Sequence, residues 1–158
     1  MTLPPRRRPL RVPGFDYSDP GHIYLVTIRA KRGASPFLNP GLSAAVVRSL
    51  NHLRDARDVR LYCYCLMPDH LHALLSVSEW SGSLIKVIRA FKSYTTREAW
   101  ACGWSGALWE RSFHERAIRG DEECRTTCEY ILGNPVHAGL AQEPGQYPYA
   151  ALVDPLPL

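Results

Sequence analysis

Two apolar runs separated by a gap too short to hold anything but a turn constrain this chain most. Residues 59–66 read Val-Arg-Leu-Tyr-Cys-Tyr-Cys-Leu, Met67-Pro68-Asp69 follows, and His70-Leu71-His72-Ala73-Leu74-Leu75 resumes the apolar pattern. Runs this rich in Leu, Val and aromatic residues, bounded by Pro and Asp, are strands. A three-residue link cannot carry a crossover, so the strands pair as an antiparallel hairpin with the histidine strand interior to a sheet. Side chains alternate along a strand, which puts His70 and His72 on one face and Leu71 on the other.

The remaining elements fall in order around this hairpin. A β-branched and aromatic run at 22–29 predicts a first strand. Leu42, Val46, Leu50 and Leu53 recur at helical spacing behind Asn39-Pro40-Gly41, which predicts a helix over 42–57. A second amphipathic helix is expected from Ser83 to about Ala101. Leu84, Val87, Ile88, Phe91 and Ala99 lie on its inner side, with Lys86, Arg89, Lys92 and Arg97 elsewhere on its surface. Residues 103–106 break it, and the rough alternation of 108–119 predicts another strand. Asp121 is a suitable N-cap for a third helix with Glu122 and Glu123 at its positive end. That helix runs through Cys124, Cys128, Tyr130 and Ile131 to about Gly133, where Asn134-Pro135 ends or kinks it. The order β-α-β-β-α-β-α predicts an α+β fold, a ferredoxin-like antiparallel sheet with helices on one face. One domain is expected over 1–158, with a basic Pro/Arg-rich arm at 1–14 and a Pro-rich tail at 144–158 lying over the surface.

Composition narrows the setting. The 158 residues are 46% hydrophobic and 22% charged, ordinary values for a globular chain. No apolar run reaches membrane-spanning length, and no apolar stretch follows the N-terminal charges. A cytoplasmic protein with no membrane partner is therefore expected. The five Cys are odd in number and lack C-x-x-C pairs, which fits reduced thiols. Sixteen of the nineteen basic residues are Arg, whose planar fork suits phosphate and base edges. Arg6, Arg7, Arg8 and Arg11 in the arm, together with Lys86, Arg89, Lys92 and Arg97, are the candidate phosphate contacts.

His70 and His72 on one strand face suit a shared divalent cation, or hydrogen-bonded burial in a core. Two imidazoles leave a metal short of ligands. Tyr130 and Asn134 are four residues apart and share a face if the third helix extends that far, and the Asn carbonyl oxygen is a hard ligand for Mg²⁺ or Mn²⁺. Tyr94, flanked by Lys92 and Arg97, competes with Tyr130 as a nucleophile. Cys63, Cys65, His70 and His72 form an alternative zinc set, provided all four project from one face. Trp104, Trp109 and Tyr94 are candidates to stack on bases, with core packing the simpler role for Trp109.

Three segments in order carry a resemblance. Met67-Pro68-Asp69-His70-Leu71-His72, Leu108-Trp109-Glu110-Arg111-Ser112-Phe113 and the run from Tyr130 to Leu140 resemble the single-tyrosine HUH transposases, in particular the REP-associated branch. The resemblance spans roughly residues 20 to 140. It implies that His70, His72 and Asn134 bind Mg²⁺ or Mn²⁺ and that Tyr130 is the nucleophile, which demotes Tyr94. It also implies cleavage and rejoining of single-stranded DNA beside a hairpin, through a 5′-phosphotyrosine link, by a monomer or homodimer. A DNA-hairpin-binding protein that does not cleave is the alternative. Asp69 departs from the family, where Asn commonly precedes the first histidine, and a carboxylate there is expected to tune the metal or the local charge.

Overall fold

A computed structural model describes residues 16, 17, 19 and 21–158. The basic arm at 1–14, and with it Arg6, Arg7, Arg8 and Arg11, lies outside the described residues.

The predicted hairpin forms with a two-residue turn at Pro68-Asp69. Strand β2 spans Arg60–Met67 and β3 spans His70–Ser76. Strand β1, Ile23–Arg29, pairs antiparallel with the other side of β3, so the histidine strand is central. Strand β4, His114–Ile118, pairs with β1, and a short β5, Ala150–Leu152, pairs with β2. The sheet order is β4-β1-β3-β2-β5, antiparallel throughout. Helix α1 covers Pro40–Arg57, α2 Leu84–Ala101 and α3 Gly120–His137. The α+β class and the ferredoxin-like antiparallel sheet are as expected.

The helices are not all on one face. Strands β2 and β3 are buried along both sides, and a strand apolar on both faces needs a cover on each. Helices α1 and α2 seal one side over Tyr24, Val26, Ile28, Leu71, Ala73 and Leu75. Helix α3 packs on the other, placing Cys124, Cys128 and Ile131 against Cys63, Cys65 and Leu74. A bulge between Leu61 and Cys63 shifts the alternation of β2, so that Tyr62 and Cys63 both reach the α3 side.

Local chemistry sets the helix ends. The Asn39 side chain accepts from the Gly41 and Leu42 amides, and Pro40 occupies the first turn, where its missing N–H costs nothing. Ser83 caps α2 by accepting from Lys86 N. Asp121 is not the cap of α3. The Glu123 carboxylate instead accepts from the Arg119 amide at 2.7 Å, and the helix begins at Gly120, whose φ of 78° suits glycine. Nor does Pro135 end α3. It lies inside the helix, which continues through Ala138 N donating to Asn134 O and Leu140 N to Pro135 O. Pro135 has no amide to donate, so that one helix bond is absent.

Two further expectations are corrected. The strand expected over 108–119 shrinks to β4, because Leu108 and Trp109 are consecutive and both buried, which breaks the alternation. Trp109 donates from its indole to Thr95 Oγ1 in the core, and the segment meets the end of β1 through an isolated bridge at Ala30, with Glu110 N donating to Arg29 O. The tail does more than lie on the surface. Its prolines spare 150–152, which forms β5, and beyond it the buried Asp154 binds Arg54 and the Leu61 amide. The Arg54 guanidinium holds the Asp154 carboxyl below its usual range.

Candidate metal and nucleophile site

Strand β3 presents His70 and His72 to the α3 side of the sheet, with ring centroids 4.7 Å apart and nearly perpendicular. Each Nδ1 is engaged. Thr27 Oγ1, directly across from His72 on β1, lies 2.9 Å from His72 Nδ1. Asp69 Oδ1 lies 2.7 Å from His70 Nδ1. A carboxylate only accepts, so His70 donates from Nδ1, which leaves Nε2 as the nitrogen available to a metal. A hydrogen bond to one ring nitrogen fixes the tautomer and turns the other nitrogen toward whatever the imidazole could bind. His72 is 8% exposed, and its pKa is pushed down to about 4, by burial first and then by His70 and Arg29. It is therefore neutral near pH 7, the state a ligand needs.

Helix α3 brings Tyr130 to this pair. The phenol ring stands edge-on to His72 with centroids 5.8 Å apart and is 52% exposed, open to a substrate. The helix continues unbroken through Pro135, so half-buried Asn134 lies one turn on from Tyr130 along the same face. The donor set of two oriented imidazoles and a neutral amide oxygen suits a hard divalent cation that keeps water or substrate positions open.

The structure separates Tyr94 from this cluster. Tyr94 stacks on His52 in the groove between α1 and α2, on the opposite face of the sheet. The zinc set meets its first condition, since Cys65 pairs with His72 and so shares its face. Both cysteines are nevertheless sealed under α3. Among the described residues no group of three His, Cys, Asp or Glu side chains is placed to hold an ion. All five cysteines are unbridged, and burial pushes the Cys65 thiol up to about 12.

Lys86, Arg89 and Arg97 are exposed on α2. Lys92 differs from them: its ammonium donates to the carbonyls of Glu110 and Arg111, which holds that loop against the helix. Pattern reading missed two basic residues beside the histidines. The strand register places Arg29 next to His70, and His114 next to Thr27. Both lie in stretches that read as strands, but the register that brings them here is not visible in the sequence.

Residues 21–134 match the family model of IS200-like transposases, a span that includes both histidines and ends at Asn134. The chain belongs to that family. It is 27% identical over 94 residues to the REP-associated tyrosine transposase of Escherichia coli K12, covering 60% of this chain and 54% of that protein. A Haemophilus influenzae protein named for the same transposase type is 28% identical over 97 residues, 55% of each chain. The chain thus spans about half the length of these relatives. The fold also matches the solved structure of a REP-associated tyrosine transposase bound to a REP hairpin. The TM-score is 0.72 at 22% identity, covering 86% of this chain and 79% of that one.

Proposed function

We propose that this IS200-like transposase cleaves and rejoins single-stranded DNA beside a hairpin, with Tyr130 as the nucleophile. The observation that carries this is the single cluster of Tyr130, His72 and His70, an open phenol edge-on to two oriented imidazoles. The hairpin substrate follows from the family and from the REP hairpin in the matched structure.

His70 and His72 through Nε2, with the Asn134 amide oxygen, would hold Mg²⁺ or Mn²⁺. A divalent ion there supplies Lewis acidity toward a non-bridging phosphate oxygen. The protein does the rest. Thr27 and Asp69 fix the imidazoles, and burial keeps His72 neutral. Helix α3 holds the phenol at the exposed edge of the cluster, where a phosphodiester can approach in line. Attack by the Tyr130 oxygen forms a bond to phosphorus and breaks the bond to the departing 3′ oxygen. The phenol loses its proton and the 3′ oxygen gains one. The product is a 5′-phosphotyrosine and a free 3′-hydroxyl, and because bond energy is retained, another 3′-hydroxyl can reverse it without ATP.

The test is a denaturing gel of the full chain incubated with labelled single-stranded hairpin DNA and Mg²⁺ or Mn²⁺. A covalent adduct is expected that disappears in Tyr130→Phe and on adding EDTA, yet persists in Tyr94→Phe. An adduct retained by Tyr130→Phe would overturn the assignment. Binding with no adduct under any divalent ion would favour a hairpin-binding protein that does not cleave.

A further inference from the structure

On the proposed reading the substrate includes unpaired nucleotides as well as a hairpin, and these need a track that leads away from Tyr130. The outer surface of α2 and the segment 107–111 enclose an open groove of about 400 Å³. Arg89, Arg97 and Trp100 line it from α2, at spacings that repeat on one helix face, and Arg111 faces them from the other wall. All four residues are exposed, and Trp100 is 52% so.

This groove is built rather than incidental. The Trp100 indole donates to Gly106 O at 2.8 Å, which fixes the ring while leaving it open to solvent. Lys92 lies between the two walls and ties them together through the Glu110 and Arg111 carbonyls, at 2.6 and 3.0 Å. An ammonium used on backbone carbonyls adds positive charge to the floor and holds Arg111 in place. Glu110 also lines the groove and is its one acidic side chain. Four cations against one anion, with a pinned aromatic ring, is the composition that takes a phosphate backbone with a stacked base.

The groove wall is also tied to the strand beside the histidines. Glu110 N donates to Arg29 O at 2.9 Å, and Arg29 is the β1 residue paired with His70. One wall of the groove is therefore hydrogen-bonded to the strand that flanks the histidines. A duplex offers no unpaired base for Trp100 to stack on, whereas a single strand does.

We infer that the groove between α2 and residues 107–111 is a subsite for unpaired nucleotides of the substrate, with Trp100 stacking one base and Arg89, Arg97 and Arg111 holding phosphates. The inference rests on the proposed function, and binding without chemistry separates the two. The probe is a DNA hairpin carrying an unpaired extension with 2-aminopurine at successive positions, and the same hairpin with blunt ends is the control. The full chain with Tyr130→Phe is used without divalent ion, and circular dichroism checks that each variant is folded.

Trp100→Ala should weaken binding of the extended probe about tenfold and abolish 2-aminopurine quenching at one position, with Trp100→Phe restoring most of both. Removing Arg89, Arg97 and Arg111 together should lower the slope of log affinity against log salt by about 2, as expected for three contacts to a single strand. The blunt hairpin should change less than about twofold in either case. Equal losses for blunt and extended probes, or no loss for either, would overturn the subsite while leaving the proposed function standing. Failure of the parent chain to bind either probe would overturn both.

Discussion

The two faces of the sheet are made by the same strands and have opposite characters. On the α1/α2 side, Leu71, Ala73 and Leu75 of β3 disappear beneath two helices. On the α3 side, Leu74 is buried, but His70 and His72 lie towards the turn, where a single helix leaves an edge open. One residue of shift along β3 separates a core position from a candidate ligand. A stiff sealed face can hold the cluster at fixed spacing, because His72 sits between Leu71 and Ala73, both anchored on the far side, and His70 adjoins Leu71. The difference makes a sharp expectation: substitutions on one face should change stability, and those on the other should change chemistry.

The largest effect should come from the most exposed member. Tyr130→Phe removes only a hydroxyl that is open to solvent, so stability should change by less than about 0.5 kcal/mol. Adduct formation should fall by at least about 10³-fold, since phenylalanine has no oxygen with which to form the phosphotyrosine bond. Leu71→Ala is the converse and lies between the two histidines. Leu71 is 1% exposed, and truncating it should cost about 2–5 kcal/mol in chemical denaturation. Metal affinity per folded molecule, read by Mn²⁺ titration, should change far less. Large coupled losses in both quantities from both variants would erase the distinction between the faces.

His72 straddles the divide, since it is a buried side chain on the open face. Its folded pKa of about 4 lies below the ordinary 6.5. The unfolded chain therefore takes up a proton at His72 before the folded one does. The neutral, buried ring contributes fully above pH 6.5, and that contribution is lost as pH falls towards 4. The shift corresponds to roughly 3 kcal/mol over this window. Denaturant unfolding of the metal-free protein should show a decline over that range, and His72→Gln should flatten it. An unchanged pH profile in His72→Gln would show that the ring is hydrated in the folded protein.

How much of this was legible depended on whether the information was local. The hairpin was readable because Pro68-Asp69 leaves no room for any other connection, and the shared face of His70 and His72 follows from strand geometry alone. Tyr130 and Asn134 were readable as a helical pair, although Pro135 suggested that the helix stops there. Its neighbours hold the turn together instead. The side of the sheet taken by α3 was not assigned correctly, even though the double-sided burial of β2 and β3 is visible in their nearly continuous apolar runs. Arg29 and His114 were missed because their proximity depends on register across three strands. Trp100 was missed because its exposure is set by a bond to Gly106, beyond the helix end. Lys92 read as one of four equal cations, and only the folded loop distinguishes it.

The smallest of these effects tests whether the open face is organised as carefully as the sealed one. Asp69 occupies an exposed turn and buries nothing, so Asp69→Ala should leave stability within about 0.5 kcal/mol. Its carboxylate nevertheless fixes the His70 ring by accepting from Nδ1 at 2.7 Å. Loss of that bond frees the ring to rotate and to exchange tautomers, and metal affinity should fall about 10- to 100-fold. The amide oxygen of Asp69→Asn can accept the same hydrogen bond, so that variant should recover most of the affinity. Recovery by Asn would assign the effect to orientation, and a loss equal to that of Ala would assign it to the charge. Mn²⁺ titration of the three proteins distinguishes the outcomes without any DNA present. If Asp69→Ala binds Mn²⁺ as tightly as the parent, the bond to His70 has no part in holding the ion.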